Sequence, residues 1–165
     1  MPISRRLAIF AVFAWLSAGC VAARPRPQVL GDEPALDDTL KKLIDAHNDE
    51  REKKDLPPLE ENDALKKAAQ AHADDMAKRR KMDHTGGDGS TPFKRIEKAG
   101  YRYQRAGENI AYGQRGLDEL MDAWMTSPGH KRNILGKFKQ IGVAYAIDED
   151  GTPYWCVTFG TPLPQ

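Results

Sequence analysis

Two cysteines are all that this chain of 165 residues contains, so a scaffold held together by several disulfides is excluded. The chain also lacks an excess of charge, because 25 lysines and arginines face 24 aspartates and glutamates. These charges are scattered rather than gathered into a basic stripe, and we therefore expect no nucleic-acid partner. The length fits one domain with a modest core and leaves no room for a second.

Short motifs that identify a reaction are missing as well. The sequence contains no HExxH helix, no Walker loop, no GxSxG elbow and no paired CxxC. No local pattern therefore names an enzyme, and any chemistry must come from residues that lie far apart in the sequence.

The first 20 residues have the pattern of an export signal. Arg5 and Arg6 precede an apolar run over residues 7–16, which is long enough for a signal-peptide core and too short to span a bilayer. Residues 16–20 resemble a bacterial lipobox, in which Cys20 would be acylated and become the mature N-terminus, although Ser17 holds the usual aliphatic position. Residues 21–23 offer an alternative site for ordinary secretion. We expect an extracytoplasmic protein that is either lipid-anchored to the membrane of the cell envelope or secreted.

The remaining sequence predicts a Pro-rich tether over residues 21–36 and a folded domain over residues 37–162. Apolar periodicity and capping residues predict helices from Asp37 to before Leu56, over 63–80, around Phe93 and Ile96, over 117–126, and from Pro128 with Ser127 as N-cap. Residues 81–92 are predicted to form a glycine-containing loop, and strands are predicted over 141–147 and 154–159, joined by a hairpin. This order favours a small antiparallel sheet covered by helices.

Three polar residues stand out as candidates for a site: His84 in the predicted loop, Glu108 in Gly-Glu-Asn-Ile-Ala, and His130 at a predicted helix start. Two imidazoles and one carboxylate form a zinc ligand set with a fourth position for water. An alternative is that Glu108 braces the cleft by accepting N–H bonds, with both histidines in a polar network. His47 and His72 lie on apolar helix faces and are interpreted as core or boundary histidines. Cys156, in an apolar strand, is interpreted as a buried, inert thiol.

These segments together resemble the CAP superfamily, which includes the cysteine-rich secretory proteins, insect antigen 5 and plant pathogenesis-related proteins, in its compact bacterial form. The resemblance runs from about residue 40 to residue 160. It is carried by segments in the family's order: His47-Asn48 with Arg51, Leu56 to Leu59, His84, Gly107 to Ala111, Ser127 to His130, Asn133 to Leu135, Ile141 to Val143, and Tyr154 to Gly160.

The resemblance implies an α+β fold, a three-layer α/β/α sandwich with a small antiparallel central sheet, whose cleft gathers two histidines and two acids. His84, Glu108 and His130 match three of these residues, while Ser127 stands where larger family members carry a glutamate. We therefore expect a cleft formed by these four residues, with His84, His130 and Glu108 holding zinc or another divalent metal. The expected function is a non-enzymatic module that binds a metal, lipid or peptide at the cell envelope. The alternative is a metal-dependent, peptidase-like hydrolase that uses the same cleft.

Overall fold

A computed structural model describes residues 33–164 of the chain, with side chains from Asp38 onward. The predicted leader, the lipidation residue Cys20 and most of the predicted tether lie outside the described residues. The first helix begins at Glu33, four residues before the expected start of the domain. The elements within this range are the helices α1 (Glu33–Glu52), α2 (Asp63–Arg79), α3 (Pro92–Lys98), α4 (Leu117–Thr126) and α5 (Pro128–Ile134), and the strands β1 (Glu60–Glu61), β2 (Tyr103–Tyr112), β3 (Gln140–Ile147) and β4 (Pro153–Pro162).

The described strands form one sheet in the order β1-β3-β4-β2. The β3–β4 hairpin is antiparallel, which confirms the predicted pair, and β2 adds to β4 in the antiparallel sense. The two-residue β1 pairs in parallel with β3, so the sheet is mixed rather than purely antiparallel. Strand β2 was not predicted because its first half has no buried residue and no regular apolar alternation, and it is a strand only by pairing with β4.

Helices cover both faces of the sheet and give the expected α/β/α sandwich. One face of β4, with Trp155, Val157 and Phe159, packs in a core cluster with apolar residues of α1, α4 and α5. The opposite face, with Tyr154 and Cys156, packs against α2. This alternation follows from the two-residue period of a strand, and it explains why almost every residue of β4 is buried. Among residues 33–164, no helix is both long and apolar enough to cross a membrane.

Local capping follows the sequence in one case and departs from it in another. The Asn62 side chain accepts hydrogen bonds from the amides of Ala64 and Leu65 and so fixes the start of α2. Ser127 occupies the N-cap position of α5, as predicted, but its side chain makes no capping hydrogen bond. The fixed φ angle of Pro128 therefore contributes more to the start of α5 than the Ser127 side chain does.

Candidate functional site

The candidate site lies along β2, at an edge of the sheet. Glu108 faces the layer formed by α2 and α3, because its carboxylate reaches side chains from both helices. The next residue, Asn109, points to the opposite layer, where its side-chain amide donates to the backbone carbonyl of His130 at 3.1 Å. Groups from both helical layers therefore meet around this edge strand.

Glu108 is the centre of the site. Its side chain is only 2% exposed. Oε1 accepts a hydrogen bond from Nδ1 of His84 at 2.8 Å, and Oε2 accepts one from Nη2 of Arg95 at 2.8 Å. Nε2 of His72 lies 3.8 Å from Oε1, and Sγ of Cys156 lies 3.6 Å from Oε2. Both carboxylate oxygens are thus engaged by neighbouring side chains.

This setting keeps Glu108 ionised. Burial raises the pKa of Glu108, but the hydrogen bond from His84 and the nearby His72 and Arg95 outweigh burial, so the net shift is downward. An ionised carboxylate can only accept hydrogen bonds, and Nδ1 of His84 must therefore carry the proton in this contact. The other ring nitrogen, Nε2, makes no hydrogen bond to a described residue and belongs to a side chain that is 51% exposed.

Arg95 ties the loop before α3 to Glu108. Its Nη1 donates to the Ser90 carbonyl at 2.8 Å, and its Nη2 donates to the His84 carbonyl at 2.9 Å as well as to Glu108. Charge-assisted bonds of this kind are stronger than neutral ones. Arg95 therefore holds the backbone of His84 in place while it neutralises Glu108.

His130 lies in the first turn of α5, in the opposite helical layer. Its ring is half-buried and lies 6.4 Å from the ring of Trp124, measured between centroids. Burial lowers the pKa of His130, and the charge of His84 lowers it further, which places the two histidines within electrostatic reach of each other. The His130 ring makes no hydrogen bond to His84 or Glu108, and the Ser127 side chain makes none to any of these three residues.

The described geometry limits how a metal can be held. Within residues 38–164, no group of three or more His, Cys, Asp or Glu side chains is arranged to hold a metal ion. Glu108 accepts a hydrogen bond from Nδ1 of His84, which places its carboxylate behind that ring, on the side away from Nε2. Two neutral imidazoles, with Glu108 orienting the ring of His84 from behind, fit the donor chemistry of zinc.

Three residues around Glu108 were not assigned to the site from the sequence. His72 and Cys156 are fully buried, which confirms their interpretation as buried residues but left their contact with Glu108 unforeseen. Burial lowers the pKa of His72 more than Glu108 raises it, and burial raises the pKa of the Cys156 thiol well above its usual value. Arg95 had no sequence signal, since a charged residue in a short helix is ordinarily exposed.

Comparison with known proteins identifies a protein family with a matching sequence pattern. The sequence pattern of the cysteine-rich secretory protein (CAP) family matches residues 44–159. The Bacillus subtilis protein YkwD is 42% identical over 106 residues, which covers 64% of this chain and 41% of YkwD. The chain therefore spans less than half of the length of that relative.

Two solved structures share the fold. An outer surface protein from Borrelia burgdorferi superimposes with a TM-score of 0.71 at 29% identity, over 76% of this chain and 94% of that protein. An extracellular protein from Bacillus anthracis that contains an SCP domain superimposes with a TM-score of 0.69 at 23% identity, over 79% of this chain and 44% of the other. The second likeness bears on the fold alone.

Proposed function

This chain belongs to the cysteine-rich secretory protein (CAP) family, and from that premise we propose that it is a non-enzymatic binding module outside the cytoplasm. In this proposal, His84 and His130 bind a divalent metal, zinc first, in the cleft beside β2. A bound metal would supply a Lewis-acidic anchor for an oxygen donor of a lipid or peptide. Glu108 stays behind His84 and orients its ring.

One contact carries the proposal: the 2.8 Å hydrogen bond from Nδ1 of His84 to Oε1 of Glu108. A carboxylate behind a metal-binding histidine fixes the tautomer and raises the basicity of the free nitrogen. Because Nδ1 is used, Nε2 of His84 is the nitrogen available to a ligand. The lowered pKa of His130 keeps that ring neutral at physiological pH, which is the form that coordinates a metal.

Location outside the cytoplasm is supported from two directions. The leader pattern over residues 1–20 directs export, and Cys20 is proposed as the lipidated residue that holds the protein at the envelope. The relatives agree, since the Borrelia burgdorferi protein is described as an outer surface protein and the Bacillus anthracis protein as extracellular.

The same contacts favour binding over hydrolysis. A general base must reach a water molecule, whereas the Glu108 side chain is only 2% exposed and both of its oxygens are hydrogen-bonded to His84 and Arg95. The depressed pKa of Glu108 weakens it further as a base. We therefore propose that Glu108 has a positioning role, in place of the catalytic role that a peptidase-like hydrolase would require.

Calorimetric titration of the metal-free protein with zinc tests this function. We expect His84→Ala and His130→Ala each to abolish binding. Glu108→Gln should weaken it about 10–100-fold, as loss of the carboxylate behind a ligand typically does. Lys131→Ala is the matched control, because Lys131 is exposed, follows His130 in α5 and should leave binding unchanged. Circular dichroism establishes that each variant is folded. Equal heats from the wild type and both histidine variants would refute the site.

A further inference from the structure

A cavity of about 620 Å³ lies between α2, α3 and the loop that precedes α3. This volume is in the range of small-molecule sites. His72 and Arg95 line the cavity and also contact Glu108, whereas none of the four predicted cleft residues lines it. The cavity is therefore separate from the His84–His130 cleft, with His72 and Arg95 between it and Glu108.

The rim of this cavity is positively charged. The exposed side chains of Lys67, Lys94 and Lys98 line it, and none of them has a carboxylate within ion-pair distance among the described residues. Two acids also line the cavity. Asp75 is neutralised by Arg79, whose Nη2 donates to it at 2.8 Å, so three unpaired lysines face the single remaining acid, Asp88. Because the whole chain carries a net charge of only +1, this concentration of positive charge is local.

Two buried residues, His72 and Arg95, form the floor of the cavity. Nε of Arg95 has no hydrogen-bond partner, although Arg95 is only 9% exposed and both of its terminal nitrogens are engaged. His72 is fully buried, and its Nε2 lies 3.8 Å from Oε1 of Glu108. These nitrogen atoms have no exposed surface, so the floor adds the positive charge of Arg95 and no free donor.

The walls between rim and floor leave room for that ligand. Ala68, Ala71 and Ala99 line the cavity and present only methyl groups. Gly86 also lines it, and a methyl group added there would lie 2.6 Å from the Ser90 hydroxyl and 2.8 Å from a carboxylate oxygen of Asp88. The three alanines therefore leave space next to Arg95, whereas Gly86 allows the close packing of its own loop.

From this combination we infer that the α2–α3 cavity binds the phosphate group of a small molecule or of a lipid headgroup. Several lysines and a buried arginine suit a phosphate, which offers more charge and more acceptor oxygens than a single carboxylate. The three lysines surround the mouth, and Arg95 adds positive charge at the floor. This site does not depend on the metal proposed for the cleft.

Titration of the mature protein with inorganic phosphate, followed by NMR of the backbone amides, tests the inference. We expect shifts concentrated in α2, α3 and residues 86–90. The triple variant Lys67→Gln, Lys94→Gln, Lys98→Gln should bind about tenfold more weakly, since three rim charges are removed. The control variant Lys54→Gln, Lys131→Gln, Lys139→Gln removes the same charge from exposed lysines outside the cavity and should bind like the wild type. Equal weakening in both triple variants, or no shifts at the cavity, would overturn the inference.

Vesicle flotation identifies the source of the phosphate. With Cys20→Ala in every protein to remove the lipid anchor, vesicles of phosphatidylglycerol that bind the wild type and the control, but not the cavity variant, would assign the site to a lipid headgroup. Loss of inorganic phosphate binding without any change in flotation would assign it to a soluble molecule. His84→Ala should retain phosphate binding, and the cavity variant should retain zinc binding, so the two sites can fail independently.

Discussion

Replacing His47 by phenylalanine is expected to remove one part of the protein's sensitivity to mild acid, next to the parts that the buried His72 and the half-buried His130 contribute. His47 is fully buried, with its ring 5.6 Å from Trp124 and 5.8 Å from Phe159 between centroids. Its Nδ1 lies 2.7 Å from the Leu43 carbonyl. Burial is the main cause that lowers its pKa from 6.5 to about 4, with the Leu43 carbonyl opposing and the charge of Arg51 reinforcing that shift.

The sign and size of the effect follow from proton linkage. The unfolded chain takes up a proton on His47 below about pH 6.5, whereas the folded protein resists it until about pH 4. Above about pH 6.5, His47 therefore does not lower the free energy of unfolding. As the pH falls from 6.5 toward 4, the preference of the unfolded chain for the proton lowers the free energy of unfolding. A lowering of the pKa from 6.5 to about 4 corresponds to a loss of about 2 kcal/mol at pH 5 and about 3 kcal/mol at pH 4. Losses of this size are a large fraction of a typical domain's stability.

Urea unfolding at pH 7, 5 and 4, followed by tryptophan fluorescence, measures this loss. His47→Phe should cost about 1 kcal/mol at pH 7 for the lost hydrogen bond, but it should lose less free energy of unfolding on acidification than the wild type does. Trp124→Phe is the control, because it disturbs the packing around His47 while keeping the titrating group. It should be less stable at every pH and retain the wild-type slope. An identical acid slope in the wild type and His47→Phe would refute the assignment.

Two further predictions concern the N-terminus and the sheet. Metabolic labelling with a fatty acid should mark the wild type but not Cys20→Ala, and an unlabelled wild-type protein found entirely in the medium would favour ordinary secretion. Gly142→Ala should destabilise the fold by at least about 3 kcal/mol, because the added methyl group overlaps the backbone of Leu65 and Lys66 in α2. Thermal unfolding measures this effect. Gly129→Ala is the matched control, since its methyl group meets nothing within 4 Å, and equal melting temperatures for the two variants would contradict the proposed close approach.

Periodic elements were predictable because their signals are local. The spacing of Leu40, Leu43 and Ile44 marks the buried face of α1, and all three residues are in the core. The β3–β4 hairpin was indicated by apolar strands around a polar turn and is present with the expected pairing. Strand β2 was missed because its stability depends on its partner β4, which lies about 40 or more residues further along the chain.

The sequence by itself determined the order of the helices and of the β3–β4 hairpin, the family, and the identity of His84, Glu108 and His130 as polar residues in its motifs. Only the tertiary structure decided how they act on one another. Folding places Glu108 on an edge strand between His84 and Arg95, so its oxygens are used before any ligand arrives. The physical reason is that periodicity and capping are set by neighbours within a few residues, whereas hydrogen bonding and desolvation of a buried carboxylate depend on distant segments packed against it.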